Sequence, residues 1–115
     1  ITSINGSFYY LLSVEDRIKA LKNCFNALKP GGVLFLDQAN FIVYLAQNPQ
    51  VNRQETKSVN GVPILRKTNI SFDWHDALWK HQDDFYHNGE MFKSEVFTFA
   101  IMTFPELRYR LEEAG

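Results

Sequence analysis

The sequence predicts an α/β fold in which a strand-helix-strand unit of a parallel sheet is followed by an inserted antiparallel β-sheet and closed by a helix. Three observations carry this expectation. An amphipathic stretch runs into Ala27-Leu28-Lys29-Pro30-Gly31-Gly32-Val33-Leu34-Phe35-Leu36-Asp37, where a proline-glycine turn leads directly into a short apolar run. Between Ile64 and Asp73 the apolar residues alternate, and His87-Asn88-Gly89-Glu90 then marks a tight hairpin. Thr103-Phe104-Pro105-Glu106 reads as the start of a further helix. The expected divisions are residues 1–41 for the strand-helix-strand part, 42–102 for the antiparallel insertion and 103–115 for the last helix.

Taken in order, Ile1 to Ile4 reads as a first strand, and Ser13 as the cap of a helix whose first turn carries Glu15 and Asp16 against the positive end of the dipole. Ile18, Leu21, Phe25 and Leu28 recur at three- and four-residue steps and form the packing stripe, with Cys24 beside it and Arg17, Lys19, Lys22 and Asn26 outside. Pro30 ends the helix, and Gly31 or Gly32 supplies the positive φ that reverses the chain. Val33 to Leu36 is then expected to be a strand covered on both faces. Asn48 to Ser58 is polar, contains Pro49 and reads as a loop. The region from 62 to 102 is expected to form two or three antiparallel strands. The Asn88-Gly89 turn would set Phe85 opposite Phe92 and His81 opposite Val96. Trp79, His81, Asp83, Phe85, Phe92, Ser94, Val96 and Thr98 would then share a covered face. In the closing helix Leu107, Leu111 and Ala114 share one side.

A chain of 115 residues that is 45% hydrophobic can bury a core, and its net charge of −1, with the signs interspersed, gives no footprint for nucleic acid or an anionic membrane. No apolar run approaches bilayer-spanning length. Cys24 is the sole cysteine, so no internal disulfide is available, and a reducing cytoplasm is the expected setting. The expected partner is a small molecule, with a second copy of the chain or a missing N-terminal half as the macromolecular alternatives.

Ser3-Ile4-Asn5-Gly6-Ser7-Phe8-Tyr9-Tyr10-Leu11-Leu12-Ser13-Val14-Glu15-Asp16, followed by Leu28-Lys29-Pro30-Gly31-Gly32-Val33-Leu34-Phe35-Leu36-Asp37, resembles the later part of class I S-adenosylmethionine-dependent methyltransferases. Phe104 to Gly115 resembles the helix those enzymes carry before their last two strands, and residues 42–102 occupy the place of the insertion that roofs the acceptor site in small-molecule members. The resemblance implies a partial Rossmann-like methyltransferase fold, S-adenosyl-L-methionine as cofactor and a small-molecule methyl acceptor. It also implies that Ile4, Asn5, Gly6, Ser7 and Phe8, after the family's fourth strand, lie at the cofactor. Neither the glycine-rich loop after the family's first strand nor the acid after its second has a counterpart here, so weak or absent cofactor binding is expected of this chain alone. Both ends are expected to be truncated, making the chain a fragment.

Asp37 and Asn40 stand at the matching edge of the next strand and are candidates to orient an acceptor amine or hydroxyl; the alternative for Asp37 is a turn cap. Tyr9, Tyr10 and Tyr44 are candidates for the acceptor wall, with core packing as the alternative. His75, His81 and His87 recur beside several aspartates but match no zinc spacing, and His81 and His87 would lie roughly 20 Å apart along one strand. No metal is expected. His81 is a candidate general base, against the alternative of a hydrogen-bonded buried histidine. A reading from another class is a non-catalytic binding or assembly module that uses the aromatic antiparallel sheet to bind a protein or itself.

Overall fold

The computed structural model describes residues 1–47 and 52–115. It separates into two compact units, one made of Ile1–Gln47 with Phe99–Gly115 and the other of the described residues between them. The fold is mixed α/β.

In the first unit β1 (Thr2–Ser3) and β2 (Phe35–Leu36) pair in parallel, Thr2 opposite Phe35 and Ser3 opposite Leu36. The connection between them contains a 3-10 turn at Ser7–Tyr10 and α1 (Val14–Ala27). Ser13 caps α1 as its sequence predicts: Oγ accepts from the Asp16 N–H at 3.0 Å, a contact worth about 1 kcal/mol in comparable caps. Gly31 is the turn residue with positive φ, at 76°, and the Gly32 N–H closes the turn on the Lys29 carbonyl at 2.7 Å. After β2 comes α2 (Phe41–Gln47), and α3 (Phe104–Ala114) closes the chain with Thr103 Oγ1 accepting from the Glu106 N–H. Phe8, Leu21, Met102 and Leu107 form the buried core, with Leu34, Leu36 and Ala114 packed against it.

Several expectations for this unit are corrected. Arg17 lies inside and not outside, 5% exposed, because its Nη1 donates to the carbonyls of Leu11 and Leu12 at 2.8 and 2.9 Å. Those carbonyls precede the helix and have no helical partner, so the guanidinium satisfies them. Phe25, placed on the packing stripe, is 52% exposed. The apolar run Val33 to Leu36 is covered on one side only: Leu34 and Leu36 reach the core, while Val33 and Phe35 are exposed. Among the described residues nothing packs over that second face.

The second unit is an antiparallel sheet in the order β3 (Asn52–Val59), β4 (Val62–Asp73), β5 (Leu78–His87) and β6 (Glu90–Ala100); the last two residues of β6 belong to the first unit. Residues 62–102 hold three strands, within the expected two or three, and β3 adds a fourth from outside that range. Of the loop expected at Asn48 to Ser58, residues 48–51 lie outside the described residues and Asn52 to Ser58 is strand. The alternation of β4 holds, with Thr68 and Ile70 buried and Lys67, Asn69 and Ser71 exposed. Thr68 pairs with Asp83, Ile70 with His81 and Phe72 with Trp79, which places these residues on one face. Asn88 and Gly89 make the expected two-residue turn, both at positive φ.

The face assigned to β6 is corrected in part. The Phe85 and Phe92 rings meet at 6.4 Å as the turn requires, but the His81 ring meets Phe97 at 6.4 Å while Val96 is 51% exposed. Side chains of β6 therefore change face between Phe92 and Phe97, which is the effect of one extra residue in a strand, a β-bulge. A two-residue periodicity counted from the turn cannot register it.

Candidate functional site

The two parallel strands end side by side, and the loops that follow them are tied together. The Asn5 N–H donates to Asp37 Oδ2 at 3.1 Å, and the Asp37 N–H donates to the Ser3 carbonyl at 2.8 Å. Asn5 and Gly6 both have positive φ, 57° and 68°, so the chain turns sharply as it leaves β1. A Cβ at Gly6 would stand 2.8 Å from the Tyr9 ring, and only glycine combines that φ with so close an approach. Tyr9 is thereby laid across the site, its hydroxyl donating to the Ala39 carbonyl at 2.5 Å. Burial raises the Tyr9 pKa above the usual phenol value, and the charge of Asp37 adds to the effect. The group is a proton donor at neutral pH, not a base.

The remaining predicted residues divide between site and scaffold. Ile4 is exposed, and its carbonyl accepts from Ser7 Oγ at 2.7 Å. Phe8 turns into the core at 7% exposure. Tyr10 points elsewhere, half exposed with its ring 4.9 Å from Phe99. Asn40 caps α2: its Oδ1 accepts from the Val43 N–H and its carbonyl from the Tyr44 N–H. Tyr44 is half-buried on that helix. Asp37, Asn5, Gly6 and Tyr9 therefore come together, and Asn40 shapes the segment beside them.

A cleft of about 260 Å³ opens next to these loops, lined by Gln38, Asn40, Phe41, Ile42, Met102 and Thr103. That is below the size of a typical whole-ligand pocket and suits one edge of a ligand. Gln38 was not predicted. Its Nε2 is enclosed and has no hydrogen-bond partner among the described residues, so a buried donor stands next to the cleft. The polar residue following Asp37 was the only sequence signal for it.

The three histidines do not converge. His75 is exposed beside Asp76, His87 Nδ1 stands 3.3 Å from the Pro63 carbonyl, and His81 Nε2 lies 3.2 Å from Asp83 Oδ1. Among the described residues no three His, Cys, Asp or Glu side chains are placed to hold a metal ion. Asp83 is the centre of a buried polar network in the second unit, accepting from Thr68 Oγ1 at 2.5 Å and standing 3.3 Å from Arg66 Nε. Burial works to raise the Asp83 pKa, but the Thr68 and His81 hydrogen bonds, with the charges of His81 and Arg66, hold it below the usual carboxylate range.

No protein-family model matches the chain, and no curated protein matches it. Solved structures do. The CcbJ methyltransferase from Streptomyces caelestis superposes with a TM-score of 0.78 at 15% identity, over 99% of this chain and 44% of that one. The sugar N-methyltransferase KedS8 from Streptoalloteichus sp ATCC 53650 gives 0.72 at 15% identity, covering 99% and 46%. SAM-bound CalS10, an amino pentose methyltransferase from Micromonospora echinaspora, gives 0.71 at 15% identity, covering 99% and 48%. The chain thus spans less than half the length of each structure, and the likeness is one of fold. No helix among the described residues is long and apolar enough to cross a membrane.

Proposed function

We propose that the chain is part of a S-adenosylmethionine-dependent methyltransferase that acts on a small-molecule acceptor, and that the strand-helix-strand unit is the later portion of its Rossmann-like core. The observation that carries this reading is the joined pair of strand ends, Asn5 to Tyr9 and Asp37 to Asn40, bridged by the Asn5–Asp37 hydrogen bond beside a cleft. The carboxyl ends of parallel strands are where open α/β sheets take their ligands. The cofactor, when bound, supplies a sulfonium methyl group. The residues present fit one edge of such a molecule: a sharp positive-φ turn at Asn5 and Gly6, and an enclosed, unpaired amide nitrogen at Gln38.

The role of these residues is positional. Methyl transfer gains most from an acceptor held in line with water excluded, and Tyr9, fixed on Ala39 and protonated, provides a rigid wall. Asp37 is occupied on one oxygen by the Asn5 N–H. Asn40 spends its amide oxygen on the helix cap, so its part is to place α2 beside the cleft. His81 belongs to the Asp83 network and is read as a structural group of the sheet.

Most cofactor affinity is assigned to a glycine-rich loop that these residues do not include. Calorimetric titration of the chain with S-adenosylmethionine is therefore expected to give a dissociation constant in the millimolar range, about 4 kcal/mol of binding free energy. A micromolar constant would show that the strand ends suffice and would overturn that assignment.

A further inference from the structure

β3 is the one strand of the four whose sequence carries no apolar face: Asn52-Arg53-Gln54-Glu55-Thr56-Lys57-Ser58-Val59 is exposed throughout. It is also an edge of the sheet among the described residues, paired to β4 on one side only. An exposed edge of this length is a template for another strand unless its charges repel the newcomer.

The backbone decides which residues face outward. Val59 and Val62 flank a two-residue turn, Asn60-Gly61, with both turn residues at positive φ. In such a hairpin the flanking residues exchange both hydrogen bonds, and the pattern then alternates. Val59, Lys57, Glu55 and Arg53 therefore turn their N–H and C=O groups to β4, whereas Ser58, Thr56, Gln54 and Asn52 present theirs to the open edge. An antiparallel partner must match outward groups with outward groups, so the two-fold axis falls on a residue of β3; centred on Glu55 it joins residues 52–58 but sets Glu55 opposite Glu55 and Arg53 opposite Lys57, like charges in both cases. Centred on Thr56, the register joins Arg53–Val59 of both copies. Centred on Gln54 it joins only Asn52–Thr56, and on either end position less.

We propose that β3 is the seam of a homodimer, paired antiparallel with β3 of a second copy in the register centred on Thr56. Thr56 then exchanges hydrogen bonds with Thr56 of the second copy, and Gln54 with Ser58. Between them Glu55 falls opposite Lys57 of the second copy, and the symmetry repeats the pair. These are non-hydrogen-bonded positions, where facing side chains are closest. Within its own chain Glu55 already stands 3.4 Å from Arg66 and 3.6 Å from Lys57, so in the dimer the carboxylate has positive charge on both flanks. The sign alternation that would make a random edge-to-edge contact unfavourable makes this one self-complementary.

The test is sedimentation of the full chain and of two charge variants, Glu55→Lys and Lys57→Glu. The wild-type chain is expected to dimerise. Each variant alone sets like charges opposite one another at both symmetry-related positions and should weaken self-association on the order of tenfold. Mixed in equal amounts, one variant offers only lysines and the other only glutamates at 55 and 57, and a heterodimer of wild-type strength should form. That rescue also shows that both variants are folded. A monomeric wild-type chain, a dimer indifferent to both substitutions, or a mixture no stronger than its components would each overturn the proposal.

Discussion

Replacing Asp83 by alanine is expected to destabilise the antiparallel sheet by about 3 kcal/mol, the scale on which removing one partner of a buried charged pair is felt. Asp83 is 8% exposed and its carboxylate receives Thr68, His81 and Arg66 together. Its loss leaves the hydroxyl of Thr68, a residue 4% exposed, without its acceptor, while Arg66 keeps Glu55. Trp74 and Trp79 both lie in this unit, so the urea midpoint followed by tryptophan fluorescence is the direct readout. The same group carries a pH signature. Because the folded-state pKa of Asp83 is depressed, its contribution is complete above the ordinary aspartate value, near 4, and is lost as pH falls through the lower folded value. The wild-type sheet should weaken with acid in that window, and Asp83→Asn should flatten the dependence. A variant as stable as wild type, or one with unchanged acid sensitivity, would show that the network contributes nothing.

Leu21→Ala is expected to cost the first unit about 3–4 kcal/mol. Leu21 is 1% exposed and is the only fully buried large side chain among the described residues. It faces Phe8, Met102 and Leu107, contributed by the turn after β1, the connection between β6 and α3, and α3, so the cavity left behind loosens the packing at three places at once. Phe8 follows directly on Gly6 and Ser7, which means the site should lose order with the core. Helical ellipticity reports this unit, since α1, α2 and α3 all belong to it. Leu21→Met, which keeps the volume, should cost under about 1.5 kcal/mol; equal losses from both substitutions would contradict a packing origin.

What could be read from the sequence was local. Ser13 and Thr103 announce their helices through side-chain oxygens that accept from the third residue on, and Asn88-Gly89 announces its turn through backbone conformations few other pairs adopt. The parallel pairing of the first strands followed from Pro30-Gly31-Gly32, which obliges the helix to stop and the chain to return. The losses were of two kinds. β3 is polar on both faces and so produces no periodic signal; only its pairing to β4 makes it a strand. Phe41 to Gln47 is a short apolar run with β-branched Ile42 and Val43, and its helix depends on the Asn40 cap. Arg17 and Gln38 could not be placed because their burial is decided by carbonyls and loops distant from any pattern they belong to. The candidate site was legible as segments, at Asn5 and Asp37, but the tie between them joins residues thirty-two positions apart.

The most direct test of the methyltransferase reading is a titration of the isotopically labelled chain with S-adenosylmethionine, followed amide by amide in nuclear magnetic resonance spectra. The expected result is a set of shifts confined to Asn5 to Tyr9 and Gln38 to Asn40, growing without saturation up to roughly 1 mM. Shifts confined to the antiparallel sheet, or none at the two strand ends, would contradict the assignment of this edge to the cofactor.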